Sequence, residues 1–148
     1  MASTYTPRNG IELIATGEQS GTWGETTNTN LEIIDRALSG VGTIDLSGSG
    51  ASHTLTTTDG TLTDGMYRVL VLDGATEACT ITISPNDAQK LYFVYNNSGQ
   101  SCVFTQGSGG NVTVANGDTK VIYANGAGGG AAVSDFTANL AMSSVNIS

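Results

Sequence analysis

Apolar and polar positions fall into distinct regimes along this 148-residue chain. Up to about residue 27 neither a helical nor a strand period persists. Ile11, Leu13 and Ile14 form a brief apolar patch inside a run of Gly, Ser, Thr and Glu, and Pro7 excludes regular helix near the start. This pattern predicts an extended arm over residues 1–27. Helix signals then converge. Asn28 or Asn30 can cap, Leu31, Ile34 and Leu38 share a face at i, i+3 and i+7, and Gly40 stands where a C′ residue should. Glu32 near the positive end and Arg36 four residues on suit the dipole and an ion pair. A helix is therefore predicted within residues 28–40, its body at 30–38.

Beyond Gly40 the period becomes two. Predicted strands are Thr43–Ser47, Ser52–Thr57, Met66–Leu72, Cys79–Ile83, Leu91–Tyr95, Cys102–Thr105, Val112–Ala115 and Thr119–Ala124. Asp73-Gly74, Asn97-Ser98-Gly99 and Asn116-Gly117 are tight-turn signals, which predict three hairpins. Val69–Leu72 and Leu91–Tyr95 are apolar at both parities, as central strands covered on both faces would be. The expected fold is mainly β: an extended N-terminal arm and one short helix, then a compact antiparallel β-sandwich or jelly-roll-like domain over 41–125. From 126 to 148 the chain reads as a Gly-rich linker, with a sparse apolar pattern at Phe136, Leu140, Met142, Val145 and Ile147. It breaks off in mid-pattern, and we expect a longer natural polypeptide to continue beyond Ser148.

Composition narrows the function. Only 12% of residues are charged and 20 are Gly, against roughly a quarter charged in an ordinary soluble domain. Thirteen acids face five bases, a net charge of −8, which gives no electrostatic footprint for nucleic acid or anionic lipid. No run of about 18 apolar residues offers a membrane span, and Met1 to Arg8 lacks the apolar core of a secretory signal. Without such a signal, the sequons at Asn96, Asn111 and Asn146 are not expected to carry sugar.

The search for chemistry returns little. His53 is the lone histidine, so neither a multi-His metal site nor a His-based triad is expected, and it reads as a polar strand position. Asp59, Asp64 and Asp73 each precede Gly and read as turn residues. Gly107-Ser108-Gly109-Gly110 lacks the Lys-Ser/Thr of a phosphate loop. Cys79 and Cys102 lie in apolar strands and read as small buried thiols rather than a disulfide or metal pair. Tyr5, Tyr67, Tyr92, Tyr95 and Tyr123 could form a sugar platform, but the strand positions of four of them favour core packing. No enzyme and no cofactor are expected. Trp23, the only tryptophan, is the outlier: it forms either a lid over Ile34 and Leu38 or a contact buried against another chain.

Several segments carry a family resemblance: Ser3-Thr4-Tyr5-Thr6-Pro7, Ala15 to Gly24 with its Gly-Thr-Trp-Gly, Thr27-Asn28-Thr29-Asn30, Asp35 to Gly40 and Lys90 to Ser98. The chain resembles the N-terminal region of virion structural proteins of tailed bacteriophages, especially tail fibres of phages of marine bacteria and cyanobacteria. The resemblance covers most of residues 3 to 124. It implies a virion protein made in the host cytoplasm, located on the tail in preference to the head. Such a protein is the particle-proximal anchor of a homotrimeric fibre whose distal part meets the host receptor. The implied partners are further copies of the chain and other phage tail proteins of adaptor, nozzle or baseplate type, or the capsid. Residues expected to dock are Tyr5, Pro7, Ile11, Leu13, Ile14, Thr22, Trp23, Asn28 and Asn30. A head fibre or decoration protein, and a receptor- or glycan-binding module, stand as the alternatives.

Overall fold

The computed structural model describes residues 2–138; the sparse pattern at Leu140 to Ile147 and the continuation expected past Ser148 lie outside them. Elements follow in the order β1 (Thr4–Tyr5), β2 (Glu12–Leu13), α1 (Trp23–Ser39), β3 (Val41–Asp45), β4 (Ser52–Thr56), β5 (Val69–Asp73), β6 (Cys79–Ser84), β7 (Lys90–Asn97), β8 (Cys102–Thr105), β9 (Val112–Val114), β10 (Thr119–Ala124) and β11 (Val133–Asp135). Over the described residues the protein is mainly β with one α-helix. A five-stranded sheet in the order β11-β10-β7-β5-β3 faces a four-stranded sheet in the order β4-β6-β8-β9, and β1-β2 form a separate pair.

The antiparallel architecture is corrected to a mixed one. From β3 to β8 successive strands alternate between the two sheets, so β3, β5 and β7 run parallel in one while β4, β6 and β8 run parallel in the other. The chain thus winds as a flattened coil before β9, β10 and β11 add antiparallel edges. None of the three turn signals closes a hairpin. Asp73-Gly74, Asn97-Ser98-Gly99 and Asn116-Gly117 all sit at corners where the chain passes from one sheet to the other. Gly still supplies positive φ there, +73° at Gly74 and +88° at Gly99 and Gly117. At the β7–β8 corner the fully buried Asn96 amide donates to Gln100 O and Val114 O, each at 2.8 Å, while its Oδ1 accepts from the Ser98 amide and hydroxyl.

Sorting of strand types explains the alternation. Strands β3, β5, β7 and β10 carry apolar residues at both parities. On β4, β6, β8 and β9 the outward positions are largely Ser and Thr, with Thr54, Thr82 and Thr105 in one cross-strand row and Ser52, Thr80, Val103 and Thr113 in another. Winding between sheets gathers each type with its own kind. Their inward positions meet in one core that includes Leu70, Leu72, Tyr92, Val94 and Ile122 from the larger sheet and Leu55, Ile81, Ile83, Phe104 and Val114 from the smaller. The Ser/Thr face is compatible with water, as one face of a two-layer fold should be. Of the four strand tyrosines expected to pack in the core, Tyr92 is buried in it and Tyr67 packs against it, whereas Tyr95 is 41% exposed, which corrects the expectation there.

Two boundaries shift. The Gly-rich stretch expected to begin a linker is a loop: Asn125 Oδ1 accepts from the amides of Ala127 and Ala132, and Val133–Asp135 joins the sheet beside β10. Helix α1 begins at Trp23, so Asn28 and Asn30 are interior rather than caps. Residues 23–29 have poor intrinsic helix propensity; tertiary bonds hold the first turns instead. Gln19, at φ 59°, accepts the Thr22 and Trp23 amides on its carbonyl, while its side chain accepts from the Thr26 hydroxyl and donates to Glu12. Arg36 does not pair with Glu32. Its guanidinium donates to Thr63 O at 3.0 Å and lies 4.4 Å from the Tyr67 ring centre, fixing the helix to the turn before β5.

Candidate docking surface

The N-terminal segment is not a free extended arm. β1 and β2 pair antiparallel, Gly60 N donates to Gly10 O at 2.7 Å, and Asn30 holds the β2 backbone through Glu12 N and Glu12 O, both at 2.9 Å. Asn30 is therefore a clamp between arm and helix. Asn30→Ala should release β2 and cost about 1 to 2 kcal/mol, because two backbone groups lose their partner; faster amide exchange at Glu12 and Leu13 with the sandwich unchanged would register it.

The other candidates are scattered. Ile11 and Ile14 are half-buried, Leu13 is 53% exposed, and Pro7, Thr22 and Asn28 are exposed. Tyr5 packs its ring over Gly60. Trp23 is 61% exposed, and Ile34 and Leu38 are 38% and 68% exposed. Trp23 precedes Ile34 by 11 residues, about 16 Å along a helix, so the lid reading fails within this chain. What the helix presents is a seam. Trp23, Leu31, Ile34 and Leu38 lie within an arc of about 80° at 100° per residue, while Ile33, the helix's buried residue, lies on another side.

Sequence reasoning missed the larger half of the surface, the outward face of the five-stranded sheet. Val41, Val69, Phe93 and Val121 form one cross-strand row, and Leu91 opposes Tyr123. The Tyr123 ring stacks on Phe136 with centroids 5.5 Å apart. Val41 is 63% exposed, Phe93 42% and Phe136 55%. The double-parity runs that suggested strands covered on both sides are covered on one. Helix seam and sheet face are continuous: a groove of about 520 Å³ between them is lined by Leu31 and Val41 together with Asp35, Gly40, Leu62 and Tyr67. At roughly 200 Å² per large side chain, the nine exposed apolar residues from Trp23 to Phe136 present on the order of 900 Å². A typical monomer's largest apolar patch is roughly 300 to 600 Å².

Beside it lies a second cavity of about 290 Å³ at the arm, lined by Arg8, Asn9, Arg68, Gln89, Lys90 and Tyr92 among others. Lys90 points inward from β7, is 6% exposed and donates to Asn9 Oδ1 at 2.9 Å. Burial pushes its ammonium down from 10.5 to about 8. That displacement corresponds to about 3 kcal/mol of burial cost while Lys90 stays charged. The folded pKa lies below the unfolded one, so the unfolded chain holds the extra proton between about pH 8 and 10.5, and stability rises with pH across that window. Lys90→Met should therefore stabilise the fold by about 1 to 3 kcal/mol at pH 7, with the gain shrinking above pH 8. Urea melts of both proteins at pH 7 and pH 10 would check it.

His53 is a half-buried polar strand residue, its Nδ1 3.2 Å from Ser49 Oγ and its Nε2 3.4 Å from Asp64 Oδ2. Neither cavity touches these three residues. Asp64 also accepts the Thr56 amide on Oδ1, so it braces β4 as well as opening a turn. Cys79 and Cys102 are adjacent in register, buried and unbonded. Among the described residues no group of three His, Cys, Asp or Glu is placed to hold a metal ion, and no helix is long and apolar enough to cross a membrane. In comparison with known proteins, no family model, curated protein or solved structure matches this chain.

Proposed function

We propose that the chain is a structural virion protein, the N-terminal module of a bacteriophage tail fibre that assembles as a homotrimer and anchors the fibre to the tail. One observation carries the reading: the continuous apolar surface from the Trp23–Leu38 seam across the Leu31–Val41 groove to the sheet face. Surface of this size matches the roughly 800 Å² per partner of a standard stable interface. Thr27, Leu31, Ile34 and Leu38 are spaced 4-3-4, which sets Leu at heptad a and Ile at d, a combination that favours three or four strands over two. The helix is 17 residues long, about two heptads. A coiled coil that short is marginal alone, so the sheet face adds the remaining burial. The Tyr5–Leu13 hairpin and Trp23, at the far end of the helix, contact the tail protein. A capsid-attached fibre makes the same use of this surface.

A glycan-binding reading draws on the aromatics of the sheet face, Phe93, Tyr95 and Phe136, which are exposed, and the half-buried Tyr123. One pair of experiments separates the two. Native mass spectrometry of the whole chain should give three times its 15.1 kDa mass, and antibodies to the chain should label purified particles at the tail. A monomer that binds a polysaccharide and is missing from particles would favour the glycan reading instead.

A further inference from the structure

Arg8, Arg68 and Lys90 are three of only five basic residues in a chain of net charge −8, and all three line one cavity of about 290 Å³. None of them is paired with a carboxylate among the described residues, where the ion pairs are His53–Asp64 and Lys120–Asp135. Nor does any Asp or Glu line the cavity. Arg8 donates through Nε and Nη2 to a neutral acceptor, Gln89 Oε1, at 3.0 and 2.8 Å, and Lys90 donates to another, Asn9 Oδ1. Acids outnumber bases by thirteen to five, so such a cluster runs against the composition. A buried ammonium without a carboxylate is costly, and an anion brought from outside would offset that cost.

We propose that this cavity binds a doubly charged tetrahedral oxyanion, either inorganic phosphate or sulfate or the same group on a small organic ligand. Three cations balance a dianion better than a single carboxylate. Arg8 and Arg68 supply guanidinium donors and Lys90 a compact ammonium, all three lining the same cavity. Tyr67, Leu91 and Tyr123 provide apolar wall for an organic substituent. The site is built from two parts, Arg8 and Asn9 from the arm and Arg68, just before β5, with Lys90 of β7 from the sandwich, so an occupant bridges them and fastens the hairpin to the sandwich. This site adjoins the apolar surface at Tyr67, Leu91 and Tyr123, but anion binding does not depend on the fibre reading.

Titration calorimetry of the whole chain with sulfate tests it, since sulfate keeps its charge from pH 6 to 10. Saturable binding at one per chain is expected, weakened at least tenfold by Lys90→Met and several-fold by Arg8→Gln or Arg68→Gln. Amide exchange at Arg8, Asn9 and Gly10 should slow when sulfate is present. Affinity should be full below about pH 8 and fall above it as Lys90 loses its proton, and it should be flat with pH in Lys90→Met. The charged and titratable groups lining the cavity with Lys90 are Arg8, Arg68, Tyr67, Tyr92 and Tyr123, and burial, with Asp64 adding to it, pushes the Tyr92 phenol up. Inorganic phosphate and glycerol phosphate then identify the source. Equal affinity assigns the free anion, and tighter glycerol phosphate assigns an organic ligand. The proposal is overturned if no saturable binding of any of the three occurs up to about 0.1 M, where they act only as screening salt, or if binding is the same in Lys90→Met and Arg68→Gln.

Discussion

Replacing Leu31 and Leu38 together with Asp should leave a folded monomer in place of the proposed trimer. Both side chains are more than half exposed within one chain, at 58% and 68%, so their removal takes nothing from its own core. At the seam each would place three carboxylates around one axis in a desolvated contact. Burying unpaired charges costs several kcal/mol each, and every 1.4 kcal/mol is tenfold in association. Loss of at least a thousandfold in trimer affinity is expected, with the sandwich's circular dichroism and monomer stability unchanged. Trp23→Ala should behave in the same way more mildly: at 61% exposure its effect belongs to assembly or docking, not to folding. Sedimentation velocity over a concentration series would read both. Trimers that persist in the double variant would place the contact elsewhere.

The second large effect belongs to Gly42. A Cβ there would stand 2.3 Å from the Tyr67 ring, the ring beside which the Arg36 guanidinium lies. Gly42 is buried on β3 in register with Leu70, so there is no open side to yield into. Gly42→Val should push Tyr67 out, break the Arg36 contact and loosen the helix from the sandwich, at a cost of about 3 kcal/mol and a fall in Tm of roughly 10 °C. Thermal melts would measure it, and Tyr67→Ala in the same chain should recover part of the loss. An undiminished Tm would mean that β3 and the Tyr67 turn are not held together as described.

How much of this was legible follows from what kind of information each feature uses. Strand positions were, because period two and Gly-punctuated ends are local: Ser52–Thr56, Cys79–Ser84 and Cys102–Thr105 fall within a residue or so of their expected places. Strand pairing was not. Asp73-Gly74 and Asn116-Gly117 demand positive φ equally in a hairpin and at a corner between sheets, so the turn chemistry is blind to which follows. A clue lay in the alternation of strand types, Val-Leu-Val-Leu before Cys-Thr-Ile-Thr-Ile-Ser, which sorts them into two sheets. The helix start was hidden for a different reason. Gly24, Thr26, Thr27 and Asn28 form helix only because Gln19 and Glu12 hold the first turns from outside. Trp23 stood out in sequence as an aromatic without cover, and the structure leaves it exposed. Phe93 looked like core because apolar runs do not reveal whether both faces are covered, while Val41 fell outside every predicted strand and Phe136 lay in the expected linker. The clustering of Arg8, Arg68 and Lys90, spread over 82 positions, needed the fold.

The most direct test of the central claim is an image reconstruction of the whole phage particle with this chain located in it. Three copies are expected at the tail, their helix seams together about a three-fold axis, the apolar sheet faces turned away from solvent and the Tyr5–Leu13 hairpins against a tail protein. A particle that lacks the chain, or carries it as single copies with Leu31, Leu38 and Phe93 facing solvent, would contradict it.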